Sequence, residues 1–599
     1  MDDIASLEQV TFPSPASHVL KGENIVQEEV VLSYSVLGND SRDKHTTKTA
    51  VIDPAALEAE RITVKIKELV INGFISQESS VANFRNIQYA RILARWHEAV
   101  PVNPTKEKGI LDATQWGPRC PQPVDVLHDA TRHLYPRMST FDRQSEFECL
   151  NLNVCTPVDV LSSKGRGLPV LVWIHGGAWI YGDGGCESDG QYLVRRSIKL
   201  GEPVVVVGFN YRLGVLGFLS SKELREEARA RGEVGYNNLG LHDQRIALQW
   251  VQKNIHFFGG DGSRLTVAGE SAGACSILAH LRCQEPSFQN AFMMSPAMII
   301  PAPLEEAQKA FDRLVAATGL SKAPVGLQLS ALRNMSPSDI HEIVGGGVAI
   351  VAEDPEFFAD WSGERYEEIA TIPSWAKQIV VGLTKKETAL FAQRWVVMSA
   401  EDMYNEWKSV YPDRAYAEEI FCAYNVNKAS TKPQLHAGLV AYTGDLLFGK
   451  VVHSVATAHL RNSHASNPKV YLYSFDQPDV LSPKAEFKDN AYHSQDNAFL
   501  FYFPQVASAS APAEFRATAD VYSAAALRLA NGKEPWEDIS IAKRFMMIHE
   551  EKSRMREDSE WCYKRWGHLV NTPERLDMFL LGKELLMMAI HYAMSLPVE

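Results

Sequence analysis

A series of short apolar runs, rich in β-branched and aromatic residues, sets the strongest limit on how this chain can fold. VLVWIH starts at Val170, PVVVVGFN at Pro203, LTVAG at Leu265, IVVG at Ile379 and VYLYSF at Val470. A strand that is apolar without alternation is buried on both faces, as in a parallel sheet covered by helices. Segments of helical period lie between the runs. In LHDQRIALQWVQKNI, Ile246 pairs with Trp250 and Ala247 with Val251 at a spacing of i, i+4, giving one apolar stripe. Strands alternating with helices predict an α/β fold with a mostly parallel central sheet flanked by helices.

One strand-to-helix junction carries chemistry. Gly269-Glu270-Ser271-Ala272-Gly273 reads G-x-S-x-G, closes the run LTVAG and opens the helical stretch SAGACSILAHL. Strand, sharp turn and helix are the setting of a nucleophile elbow, which lifts a serine hydroxyl out at the carboxyl edge of the sheet. The close approach of strand and helix leaves no room for side chains at Gly269 and Gly273. Helix N-terminal N–H groups then point at any anion formed there.

A serine hydroxyl is a poor nucleophile until a base takes its proton, and acyl transfer creates an oxyanion that needs donors. Two further features are therefore expected. One is an upstream strand ending in a glycine turn with free N–H groups, and VLVWI runs directly into His175-Gly176-Gly177-Ala178-Trp179. The other is an acid and then a histidine later in the chain.

Composition narrows the class. Of 599 residues, 45% are hydrophobic and 22% charged, enough apolar material for a large core. The net charge of -13 and the lack of a long Lys/Arg run argue against a nucleic-acid partner. Residues 1–66, with polar stretches such as GNDSRDKHTTK, are expected to be an N-terminal extension, and 67–599 the catalytic domain. The first residues contain no apolar signal core, so a cytoplasmic location is expected. Near the C-terminus, MFLLGKELLMMAIHYAM is interrupted by Lys583 and Glu584 and predicts an amphipathic helix packed on the core, with no membrane span. The eight cysteines form no CxxC pair, which argues against a zinc ribbon, and without a signal peptide reduced thiols are expected.

At this point the residues resemble a family. FGGDGSRLTVAGESAG, from Phe258 to Gly273, looks like the serine signature of type-B carboxylesterases, the group that includes the cholinesterases. NFRNIQYARI from Asn83, ECLNLNV from Glu148 and FNYRLGVLGF from Phe209 follow in the family's order, so the resemblance runs from about residue 67 to the end. It implies an α/β-hydrolase fold and a Ser-Glu-His triad. GLTKKETALF resembles the loop of the triad acid, which becomes Glu387, and NAYHSQDNAFLF the loop of the catalytic histidine, which becomes His493. The HGGAW turn is similar to the family's oxyanion loop, with Gly177 and Ala178 as donors and Ala272 as the third. Cys120 and Cys149 occupy the places of the family's N-terminal bridge.

This sequence departs from the pattern in places. Ala178 stands where a third glycine is usual; alanine keeps its N–H, but its methyl narrows the acyl side. Lys386 and Thr388 flank Glu387 where an acid and a glycine are common. Rival bases are His175, expected to brace the oxyanion loop, and His242. Rival acids are Glu353, Asp354 and Asp496. Glu270 is expected to point away from the nucleophile after the sharp turn and to serve as a structural partner. Part of AFMMSPAMII, from Ala291, could line an acyl pocket, although core is the better reading for most of it.

The implied reaction is hydrolysis of a small-molecule carboxylic ester or lactone through an acyl-enzyme on Ser271, without metal or organic cofactor. The alternatives are an acyltransferase or lactone-forming enzyme using the same acyl-enzyme, and a non-catalytic cholinesterase-like scaffold. The chain leaves the oligomeric state open.

Overall fold

The computed structural model describes residues 59–76, 80–123, 130–136, 143–162, 167–233, 237–283, 286–297, 301–344, 349, 351–355, 357–358, 372–461, 468–557 and 563–594. Among them the expected sheet is present and has 13 strands. In chain order these are β1 (Arg61–Ile66), β2 (Leu69–Ile75), β3 (Val81–Gln88), β6 (Gly109–Asp112), β7 (Asn151–Pro157), β8 (Leu168–Ile174), β9 (Val205–Phe209), β10 (Gly260–Glu270), β11 (Asn290–Met294), β12 (Gln378–Thr384), β13 (Lys469–Phe475), β14 (Arg544–Ile548) and β15 (Arg554–Glu557), while β4 (Ala90–Arg91) and β5 (Val100–Pro101) form a separate small ribbon.

The spatial order is β1-β2-β3-β7-β9-β8-β10-β11-β12-β13-β14-β15, with β6 beside β2. Every pairing from β9 through β14 is parallel, and the edges beyond are largely antiparallel. The apolar runs read from the sequence are this parallel centre: Val170 to Ile174, Val205 to Phe209 and Ile379 to Val381 are all buried. The fold is the α/β-hydrolase fold. Helices cover the sheet on both faces, and the core divides into separate apolar clusters, one built around Val172, Val207 and Val267 and another around Trp173, Phe292 and Tyr522.

The sheet begins earlier than expected. RITVKI, assigned to the extension, forms β1 and pairs in register with β2 from Arg61↔Phe74 to Ile66↔Leu69. Its burial alternates, with Val64 and Ile66 inward and Arg61, Thr63 and Lys65 outward, so this edge strand has only half the apolar content of the central ones. Residues 1–58 of the expected extension lie outside the described residues.

The C-terminal apolar stretch forms two helices, Pro573–Leu580 and Lys583–Met594, separated by a turn at Gly582. The second buries Leu585, Leu586 and Ala589 in a cluster with Trp395, Trp407 and Trp566. No helix among the described residues is long and apolar enough to cross a membrane.

A buried ion pair fastens the segment ahead of the elbow. Arg212, from the run FNYRLG, donates through Nε and a terminal nitrogen to both oxygens of Asp243 at 2.7 Å. Its other terminal nitrogen donates to His97 O at 2.8 Å. The fork geometry satisfies the guanidinium where a lone charge would be costly.

Candidate active site

The parallel strands aim their carboxyl ends at one place. The turn after β8 carries Gly177 and Ala178, β10 ends at Glu270 just before Ser271, β12 leads to Glu387, and the loop after β13 carries His493. Ligands of open parallel sheets bind at this edge.

Ser271 sits at φ 53°, ψ −122°, just ahead of the helix Ala272–His280, which we call the elbow helix. A non-glycine residue there is strained and must be held by its surroundings. Its N–H donates to Met294 O at 2.9 Å, and its carbonyl accepts from Cys275 N at 2.9 Å. The flanking glycines are sterically required: a Cβ on Gly273 would lie 2.0 Å from Ile174 O, and one on Gly269 would lie 2.8 Å from Gly273 C.

His493 is buried between two carboxylates. Its Nδ1–H donates to Glu387 Oε2 at 2.5 Å, and its Nε2 lies 3.1 Å from Glu270 Oε1. Glu387 is itself fixed: its Oε1 accepts from Ser295 Oγ and from Thr384 N, both at 2.6 Å. Burial alone would depress the imidazolium, but the charges of Glu270 and Glu387 outweigh it and lift the His493 pKa to about 9. Burial raises Glu270, with the facing His493 pulling the other way.

Glu270 does not turn clear of the site as expected: it lines the same cavity as Ser271, and as a partner of the neighbouring loop it contacts His493 and accepts from Ser494 Oγ at 2.8 Å. Residues 493 and 494, arriving from β13, meet its carboxylate, a contact that strand alternation along β10 cannot reveal. Among the described residues Ser271 Oγ has no hydrogen-bond partner.

The rivals have other duties. Asp354 pairs with His242 Nε2 at 3.1 Å. Asp496 accepts from Tyr522 OH at 3.0 Å and from Tyr473 OH at 3.3 Å; burial, then the charges of Glu270 and Glu387, push its carboxyl up to about 8. His175 braces its own loop: Nδ1–H donates to Gly176 O at 2.9 Å and the ring stacks on Tyr211 at 4.4 Å. Burial lowers its pKa to about 4, leaving it neutral.

Gly177, at φ 93°, accepts from Ile180 N and Tyr181 N, both at 2.9 Å, which curls the turn. Among the described residues, the N–H groups of Gly177, Ala178 and Ala272 donate to no protein acceptor. All three residues line a cavity of about 410 Å³ together with Ser271, Glu270 and His493. The lining includes the apolar side chains of Leu390, Phe391, Phe448 and Leu586 and the polar ones of Thr131, Ser188 and Asn497. The strand part of AFMMSPAMII is core, since Ala291 to Met294 are fully buried, and only Ala297 of the described residues reaches the cavity; Met298, Ile299 and Ile300 lie outside the described residues.

Cys120 and Cys149 are both buried free thiols, not a bridge. Cys149 Sγ–H donates to Glu146 O at 3.4 Å, and Cys120 Sγ accepts from Leu213 N at 3.3 Å. Contact with Cys120, then burial, pushes the Cys149 thiol well up and holds it neutral. No group of three or more His, Cys, Asp or Glu among the described residues is placed to hold a metal ion.

This chain belongs to the carboxylesterase family: residues 60–527 match the profile described as "Carboxylesterase family". Its relatives give the narrower view. It is 30% identical over 437 residues to para-nitrobenzyl esterase of Bacillus subtilis, covering 71% of this chain and 80% of that protein. It is 30% identical over 426 residues to mouse acylcarnitine hydrolase, covering 67% and 70%. A solved structure of a PNB esterase superposes with a TM-score of 0.65 at 25% identity, over 85% of this chain and 99% of the other. The protein is a carboxylic ester hydrolase of the serine type acting on small-molecule esters. Neither an acyltransferase nor a scaffold reading is favoured by this kinship.

Proposed function

We propose that Ser271 is the nucleophile, His493 the general base and acid, and Glu387 the carboxylate that orients the imidazole. The observation that carries this reading is the 2.5 Å contact from His493 Nδ1 to Glu387, with Ser271 on a strained turn in the same cavity. Glu387 fixes the tautomer that leaves Nε2 to face the reacting groups. In the neutral form, His493 Nε2 takes the Ser271 proton as Oγ bonds to the ester carbonyl carbon. The carbonyl oxygen becomes an oxyanion held by the N–H groups of Gly177, Ala178 and Ala272. When the C–O bond to the alcohol breaks, His493 returns the proton to the departing oxygen. Water then gives its proton to His493 and attacks the acyl carbon, and Ser271 leaves with that proton.

The lining, with Phe391, Phe448 and Leu586 in the wall of the cavity that holds the reacting groups, supports an ester with an apolar portion. Lactones, as internal esters, belong to the same reading. A chain-length series of p-nitrophenyl esters beside a panel of lactones tests it. Rising kcat/KM with acyl length to a maximum supports the apolar portion, and a flat series contradicts it.

A further inference from the structure

The oxyanion donors come from two segments far apart in the chain: Gly177 and Ala178 from the turn after β8, and Ala272 from the elbow helix. A hole built of two pieces works only if they keep register, because each donor must meet one oxygen. The turn is also under strain. Ala178 and Trp179 both have positive φ, 54° and 57°, which L-residues adopt only when something else holds them.

We infer that Ser276 is a positioning residue that locks these two pieces together. Its hydroxyl donates to the carbonyl of Ala272 at 2.8 Å. It accepts the indole Nε1–H of Trp179 at 2.9 Å and an amide N–H of Gln244 at 3.1 Å. One donor and two acceptor sites are all a hydroxyl has, so the group is saturated. It therefore ties the residue that follows Ala178 to the residue that supplies the elbow N–H.

The tie is closed and dry. Ser276 is fully buried and Trp179 nearly so. Gln244 is anchored at its other end, where Oε1 accepts from His280 Nε2 at 3.0 Å, one turn further along the elbow helix. Burial lowers His280 to about 3, so the ring is neutral and donates through Nε2. Trp179 is otherwise held by its carbonyl, which accepts from Gly214 N at 2.7 Å, and by its ring against Phe218 at 5.7 Å. Neither contact reaches the elbow helix. A serine inside a helix often merely bonds back to its own i−4 carbonyl; here the same hydroxyl is also the junction for two other elements.

The inference rests on the triad reading above, and its test separates the two. Wild-type protein, Ser276→Ala, Trp179→Phe and the double variant are compared for kcat, KM and inhibition by an aryl trifluoromethyl ketone, whose adduct with the nucleophile carries an oxyanion. Ser276→Ala is expected to lower kcat by about 10- to 100-fold, below the full loss of one oxyanion donor, with KM changed by less than about threefold. Ketone affinity falls by the same factor as kcat/KM. Trp179→Phe keeps the ring and removes only the N–H, so it gives a similar loss, and the double variant is no worse than the poorer single. Trp179→Phe carries the test alone if Ser276→Ala does not fold. Near-wild-type kcat in both singles, additive losses, or a fall in kcat with unchanged ketone affinity overturns the role of Ser276. If the ketone fails to inhibit wild-type protein, the triad reading itself has failed.

Discussion

His493 Nε2 lies 3.1 Å from Glu270 Oε1, the side chain immediately before the proposed nucleophile. The resting imidazole thus has a carboxylate close to its second nitrogen. With Glu387 bonded to Nδ1 and the charge of Glu270 beside Nε2, the ring is held as an imidazolium and its pKa is raised to about 9. A protonated ring cannot accept the serine proton. At pH 7 the competent neutral form is on the order of one molecule in a hundred.

The pH profile follows with a definite sign. Because the charged form is the stabilised one, activity is absent at low pH and grows as His493 deprotonates. The ascending limb of kcat/KM for a p-nitrophenyl ester is expected to titrate near 9 in the free enzyme. A limb centred near 6.5 would show that the two carboxylates do not hold the proton.

Replacing Glu270 by Gln removes one of the two charges that raise this pKa. The limb should move to lower pH by about one to three units, as expected for losing an opposite charge at contact distance. At pH 7 the variant gains neutral His493, although it loses whatever alignment the contact provides. A limb that stays in place would place the stabilisation elsewhere.

Ser295 supports the proposed triad acid, Glu387. Its Oγ donates to Glu387 Oε1 at 2.6 Å, and the hydroxyl is fully buried. Ser295→Ala deletes one of the bonds fixing that carboxylate, and a hydrogen bond to a charged group contributes about 1.5–3 kcal/mol. We expect lower stability by about that amount in urea unfolding and a kcat reduced by about tenfold or more. Unchanged kinetics would mean that Thr384 N and His493 suffice to hold Glu387.

In the proposed mechanism Ala178 contributes through its backbone. Its φ of 54° suits glycine better, and its N–H is independent of the methyl. Ala178→Gly should keep kcat on a small acetate ester within a few-fold and widen the cavity for branched acyl groups. Relief of the strained φ offsets the greater chain entropy of glycine, so stability should change by less than about 1 kcal/mol. A hundredfold loss on the acetate would mean that the methyl, not the N–H, is what the turn needs.

Much of this was readable from residues alone because the constraints are local. Ser271 announces itself through Gly269 and Gly273, whose closeness to Ile174 O and to one another depends only on a strand, a turn and a helix. The buried strands announce themselves by unbroken apolar runs. Glu387 and His493 needed resemblance, because nothing near either residue encodes a meeting across 106 positions. The meeting of Glu270 with His493 is not legible, since His493 arrives on a distant loop. The strand Arg61–Ile66 was missed because half of it faces water. The link from Trp179 to Ser276 spans 97 residues and is invisible until the fold closes.

The central claim is that the hydroxyl of Ser271 forms the acyl-enzyme. The most direct measurement is peptide mass mapping after treatment with a fluorophosphonate probe, beside kinetics of Ser271→Ala. The account predicts one phosphonylated peptide carrying Ser271, no labelling in the variant, and a loss of turnover on the order of a millionfold in a protein that still folds. Labelling at another residue with Ser271 unmodified, or substantial turnover by a folded Ser271→Ala, would contradict it.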